Sequence, residues 1–206
     1  MMTDREAVFS AVRRGYSSLK ETSPSEIIEY FSEMDAKEFS GHLSNIKGIV
    51  FEEEIAKELN EQGLQVSLFD TTNHPDTDIS VVDTGLFFDS DAVEFQLKAT
   101  DSISYINSTL SDCDDIPIIA TSEIAFYFED NPLLIDSGIS NEVLSDTVSS
   151  VLTDPDSIDA VTDVIGDTVS DNLSDIITDN FIPLPFGPIG IIKLLLGIIF
   201  RYSAQF

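Results

Sequence analysis

Apolar residues return at helical spacing in the first third of the chain. Val8, Val12 and Tyr16 fall four apart with Phe9 and Leu19 beside them, which predicts a short amphipathic helix over residues 4–19, interrupted near Gly15. Ser23-Pro24-Ser25-Glu26 then supplies a capping side chain, a proline at the first helical position and a glutamate at the third, opening a helix with Ile27, Ile28, Tyr30 and Phe31. Residues 35–42 read as another short helix. From Ser44 onward Ile49, Ile55, Ala56 and Leu59 form the buried side of a helix that closes at Gly63, a residue suited to a left-handed cap. Glu52 falls on that side, whereas Glu53, about 100° further round, is expected to face solvent and pair with Lys57.

The period then shortens to two. Leu64 to Phe69 alternates as a strand, residues 70–75 carry turn chemistry, and Asp76-Thr77-Asp78 leads into the apolar strand Ile79 to Val82. Residues 91–99 alternate again, so that Glu94, Gln96 and Lys98 share one face while Val93, Phe95 and Leu97 take the other. Adjoining strands would bring Asp78 near Gln96 and Lys98. Residues 102–110 read as helix or loop, 116–120 as a short buried strand and 124–128 as a further strand. The class is therefore α/β, with a mixed sheet of four to five strands flanked by helices and a helical appendage at the C-terminal end.

Beyond Asn131 the character changes. Val161, Val164, Ile165, Val169, Leu173, Ile176 and Ile177 predict an acidic amphipathic helix over 156–179. Residues 189–200 are almost wholly apolar but shorter than the roughly 20 residues a bilayer span requires. That segment reads as a buried helix or a homo-oligomer contact. Membrane contact stays open as an alternative, with Lys193 and Arg201 able to reach headgroups. These shifts divide the chain into an N-terminal helical segment (1–43), a central core (44–131) and an acidic helical region ending in the apolar stretch (132–206).

Charge adds a constraint that the periodicities do not. The 206 residues carry 38 acids against 10 bases, a net charge of -28. An imbalance of that size suits a protein working in concentrated salt, a mimic of the nucleic-acid backbone, or a partner for a basic protein. Scarce lysine with abundant Asp, Ser, Thr and Val, spread over the whole sequence, resembles the proteins of halophiles. The single cysteine, Cys113, excludes an internal disulfide, and two distant histidines, His42 and His74, argue against a structural zinc site. The first thirty residues contain no apolar run of signal-peptide length, so a cytoplasmic location is expected, with residues 189–200 as the route to any membrane association. No glycine-rich phosphate loop, G-x-S-x-G elbow or dinucleotide fingerprint occurs.

Taken singly, the polar residues of the central segment have plain structural readings. Glu94, Gln96 and Lys98 suit the wet face of a strand, Lys98 suits a salt bridge with Glu94 or Asp78, and Glu52 suits a helix edge. Lys98 is nevertheless the only base between Lys57 and Lys193. Hydrolysis of a phosphodiester needs an activated water, neutralised phosphoryl charge and a leaving alkoxide, and a hard divalent cation on carboxylate and amide oxygens serves each need.

Gly48, Phe51-Glu52, Ala56, Leu59, Gly63, Asp78-Ile79 and Gln96-Leu97-Lys98 follow the order of a known pattern: a helix with glutamate, a strand, an aspartate-led strand, and a strand ending Q-x-K. In this the chain resembles the PD-(D/E)XK nuclease superfamily, and within it the Mrr-like restriction endonucleases, over about 55 of its 206 residues. The resemblance implies a restriction-endonuclease-like core and a metal-dependent endonuclease, of restriction or defence type, that hydrolyses DNA with Mg²⁺ or Mn²⁺. Asp78 would be the first metal ligand and Gln96 would give a carbonyl oxygen. Glu52 would bind directly or through water, and Glu94 would stand in reserve. Lys98 would position the attacking water or stabilise phosphoryl oxygens. Thr77 stands where the pattern commonly has glycine, Asp76 rivals Asp78, and Gln96 replaces a carboxylate, as it also does within the Mrr-like branch. Two other classes of function stay open: an inactive nuclease scaffold with an acidic DNA-mimic or partner-binding surface, and a membrane-associated effector.

Overall fold

The Ser23 cap forms as its residues dictate. The Ser23 hydroxyl accepts from the Glu26 backbone N–H while the Glu26 carboxylate accepts from the Ser23 N–H, and Pro24 opens the helix behind them. In this computed structural model, which describes residues 4–61, 63–69, 77–82, 92–112 and 116–153, that helix is α2 (Pro24–Ser32). It follows α1 (Asp4–Gly15) and a 3-10 turn at Ser17–Leu19. The next helix differs from expectation. Residues 36 to 61 form one continuous helix, α3 (Ala36–Glu61), started by Asp35, whose carboxylate accepts the N–H groups of Lys37 and Glu38. The weak apolar signal around Ser40, Gly41 and Ser44 reflects a stretch with little to bury, and Ile46 resumes the buried side.

The end of α3 is closed by its own backbone. Leu64 N–H reaches Leu59 O and Gly63 N–H reaches Asn60 O, a paired closure that requires the left-handed conformation Gly63 adopts at φ +91°. The chain turns there into β1 (Gln65–Leu68), followed by β2 (Ile79–Val82) and β3 (Val93–Lys98). These three strands pair antiparallel, and β4 (Ile118–Ala120) and β5 (Leu134–Asp136) continue the sheet parallel to β3, in spatial order β1-β2-β3-β4-β5. Helix α4 (Ile103–Asp112) connects β3 to β4, α5 (Ser122–Tyr127) connects β4 to β5, and α6 (Asn141–Thr153) follows β5. The mixed five-stranded α/β architecture agrees with the reading of the sequence.

Two apolar clusters sandwich the sheet. Ile79, Val81, Phe95, Leu97, Ile119 and Ile135 pack against residues of α1, α2, α3 and α6, among them Val8, Ile27, Phe51 and Leu144. On the other side Ile118, Ala120 and Leu134 meet Ile106 of α4 and Ile124 and Ala125 of α5. The alternation of Ile118 and Ile119 between the clusters is the strand period made visible.

Residues 124–128 correct one expectation. Alternation would put Ile124, Phe126 and Phe128 on one face, but Ile124 and Ala125 are both buried while Phe126 and Tyr127 both face solvent. Two adjacent residues in and two out is helical, and Thr121, extended at φ -64° and ψ 153°, starts the turn with Glu123 following. The domain limits expected at 43 and 131 likewise do not coincide with breaks in packing. The larger cluster runs from Val8 to Leu152, and β5 extends the sheet beyond residue 131. The helix expected over 156–179 and the apolar stretch 189–200 lie outside the described residues. Among the described residues no helix is long and apolar enough to cross a membrane.

Candidate functional site

The antiparallel register of β2 and β3 sets Ile79 opposite Phe95 and Ser80 opposite Glu94, which brings Asp78, just ahead of β2, opposite Gln96 near the end of β3. Its backbone N–H donates to Phe95 O at 2.9 Å. Its Oδ2 accepts the Leu97 N–H at 2.7 Å and lies 3.3 Å from Lys98 Nζ. Asp78 is thereby fixed to the backbone of β3 as well as to its lysine. The two side chains are 19% and 18% exposed, so the pair is partly desolvated yet open to a ligand.

Glu52 approaches from α3, beside the fully buried Phe51. Burial pushes its carboxyl up to about 7; the nearby Arg14 charge opposes this, the Asp78 charge adds to it and the Lys98 charge again opposes it. Glu52, Asp78 and Lys98 are therefore within electrostatic reach of one another, although 20 to 46 residues separate them along the chain. Gln96 is buried, at register with Ile118 of β4, and its N–H donates to Pro117 O at 3.0 Å. Glu94 stands apart from this group. It is exposed and paired with Ser80, and at roughly 3.3 Å per residue its position on β3 lies about 13 Å from that of Lys98. Asp76 and His74 lie outside the described residues. His42 is engaged elsewhere, its Nδ1 2.7 Å from the Tyr16 hydroxyl.

Arg14 is the member that periodicity did not point to. Gly15 beside it lets α1 press onto α3; a Cβ there would come within 2.5 Å of the Ile49 side chain. Arg14 Nη2 lies 3.0 Å from Glu52 Oε2 and donates to Phe69 O at 3.2 Å, while Nη1 is 3.8 Å from Glu53 Oε1. Glu53 thus faces inward rather than toward Lys57. Burial raises its pKa against the opposing Arg14 charge, and Lys57 pairs instead with Glu54 at 3.0 Å. The hint in the sequence was the basic last turn of α1, Arg13-Arg14, in a chain with so few bases.

Comparison with protein-family models, curated proteins and solved structures yields no match to this chain.

Glu52 feels the charge of Asp78, and the β2–β3 register sets Asp78 opposite Gln96; carboxylate and amide oxygens are the donor types that suit a hard cation. Mg²⁺ commonly takes one or two carboxylates and keeps several waters, so the set fits such an ion without a complete protein cage. Among the described residues no group of three or more His, Cys, Asp or Glu forms such a cage.

The raised Glu52 pKa has a consequence for stability. A carboxyl at about 7 when folded, against its ordinary 4.5, penalises folding once ionised. The cost is absent below about pH 4.5, grows as pH rises through the interval to about 7, and is complete above it. The shift alone corresponds to roughly 3 kcal/mol, which residual solvent access lowers to about 2 kcal/mol. Glu52→Gln is expected to match the wild type at pH 4.5 and to exceed it by about 2 kcal/mol at pH 8, measured by urea unfolding at both pH values. A variant less stable than wild type at pH 8 would show that Glu52 is held as a stabilising anion.

Proposed function

We propose that this chain is a metal-dependent endonuclease that hydrolyses DNA phosphodiester bonds, with a restriction-endonuclease-like core and a role in restriction or defence. The observation that carries this reading is the 3.3 Å approach of Lys98 to Asp78, with Glu52 close enough to feel both charges. The order helix, strand, aspartate-led strand and Q-x-K strand, which the resemblance to Mrr-like nucleases required, is also the order of α3, β1, β2 and β3, and it supports the same conclusion.

Each residue has a part consistent with its surroundings. Asp78 and Glu52 would hold Mg²⁺ or Mn²⁺, with the Gln96 amide as a third oxygen donor. The ion, when bound, supplies Lewis-acid stabilisation of phosphoryl charge and lowers the pKa of water. Lys98, as an ammonium, has three N–H donors and no acceptor. One engages Asp78, which aims the head group, and the others can reach a phosphoryl oxygen or orient the attacking water. Asp78, locked by the Leu97 N–H, keeps both the cation ligand and the lysine at fixed positions relative to β3.

The net charge of -28 favours one rival, an inactive scaffold that engages a basic partner or imitates DNA. Incubation with supercoiled plasmid in Mg²⁺ or Mn²⁺, from 0.1 to about 2 M KCl, separates the two. Nicking or linearisation that a chelator abolishes is the expected result. Intact plasmid under every condition, together with salt-sensitive retention of the folded protein on a basic column, would favour the rival instead.

A further inference from the structure

We propose that Arg14 is a positioning residue for this site, fixing the Glu52 carboxylate and the backbone next to Asp78 in one geometry so that a divalent cation meets both acids at bonding separation. The inference rests on the metal-dependent reading and deepens it.

Arg14 belongs to α1, which lies outside the segment carrying Glu52, Asp78 and Lys98. The connection is nevertheless short. Nη2 stands 3.0 Å from Glu52 Oε2 and donates to Phe69 O at 3.2 Å, and the Phe69 N–H in turn donates to Asp78 O at 3.4 Å. A single guanidinium nitrogen thus links the helix-borne acid to the strand end paired with the strand-leading acid. Arg14 engages Oε2, and Oε1 is the oxygen proposed for a cation shared with Asp78. Nη1 is buried and faces Glu53 at 3.8 Å, so the guanidinium is bounded by acids on two sides and by a carbonyl on a third. A side chain 81% buried and held this way has few rotamers left, which is the condition for fixing another group.

Lysine in place of Arg14 separates geometry from charge. It keeps the positive charge, and with it the repulsion on an incoming cation, but one ammonium on a shorter stem cannot face Glu52, Glu53 and Phe69 together. The experiment is calorimetric titration of Mn²⁺ into the full-length wild type and Arg14→Lys without DNA, accompanied by thermal unfolding of both and by kcat and KM on plasmid DNA. Arg14→Lys is expected to bind Mn²⁺ at least about tenfold more weakly and to lose about 10- to 100-fold in kcat, with KM for DNA unchanged. Should Arg14→Lys melt below the assay temperature, Arg14→Gln is titrated in the cold and judged by the same criteria, since its amide can serve Glu52 or Phe69 but not both. Mn²⁺ binding equal to wild type, with a lowered melting temperature as the sole change, would make Arg14 a structural clasp and overturn the proposal. A wild type that binds no Mn²⁺ would defeat the metal-dependent reading itself, and the role of Arg14 with it. Wild-type binding with an unaffected variant defeats the role of Arg14 alone.

Discussion

Lys98→Met should lower the rate of metal-dependent DNA cleavage by about 10³-fold, equivalent to roughly 4 kcal/mol of transition-state stabilisation, while the protein stays folded. Methionine preserves much of the aliphatic stem and removes the charge, so packing against β4 changes little. Asp78 keeps its hydrogen bond from the Leu97 N–H, which limits what the strand ends lose. Asp78→Asn should lose at least as much activity, because it halves the carboxylate pair while its carbonyl oxygen can still accept from Leu97. Asp78→Ala would add an unpaired backbone donor and a stability cost of about 1–3 kcal/mol, which makes it the weaker test of chemistry. Single-turnover cleavage of a labelled duplex, with circular dichroism of each variant as the control, reads the effect. Wild-type rates in both Lys98→Met and Asp78→Asn would dispose of this site assignment and put the cleavage chemistry on other residues.

The features legible in the sequence are local. The Ser23 to Glu26 cap involves residues three apart, and the Gly63 closure involves residues within one turn, so their signals are complete within a few positions. Alternation on β3 was equally legible, because the strand period separates Phe95 and Leu97 from Gln96 and Lys98 whatever packs on each face. The approach of Lys98 to Asp78 followed from pairing two neighbouring strands.

Other features depended on contacts that no short window contains. Glu53 was assigned to solvent because only one side of α3 was expected to be covered. Helix α1 covers a second side, bringing Arg14 across a gap of 38 residues to Glu52. The continuity of α3 through Ser40 to Ser44 depends on hydrogen bonding that outlasts a break in the apolar stripe. Helix α5 reads as a strand because its apolar content is high and its length, six residues, is too short for either period to dominate. Glu94 was grouped with Gln96 and Lys98 by face, and face is necessary but not sufficient: distance along the strand separates it from the cluster.

The largest response of the whole molecule should be to salt. The chain carries 38 acids and 10 bases. Ion pairs form at Arg14, Lys57 and Lys98, with Arg14 shared between two acids, and the excess of acids over bases leaves a large net repulsion to be screened. Raising KCl from about 0.1 M to about 1 M shortens the screening length from roughly 10 Å to roughly 3 Å, near the spacing of adjacent surface groups. Full-length protein is therefore expected to gain about 3–5 kcal/mol, seen as a rise in unfolding midpoint of about 10 °C, with NaCl and KCl equivalent and the gain saturating near 1 M. A midpoint that is flat or falls across this range would contradict the reading of the composition as an adaptation to concentrated salt. The same deficit of cations bears on DNA. Each phosphate neutralised by a basic side chain contributes about -0.9 to the slope of log K against log salt, and a site whose basic groups are Lys98 and Arg14 can supply little more than about -2. Binding that depends so little on counterion release should persist at salt concentrations that strip ordinary nucleases from DNA, and filter binding from 0.1 to 1 M KCl with Ca²⁺ in place of Mg²⁺ would measure that slope. A slope steeper than about -5 would mean that basic groups beyond Lys98 and Arg14 contact the DNA, and the proposed binding site would have to be extended to them.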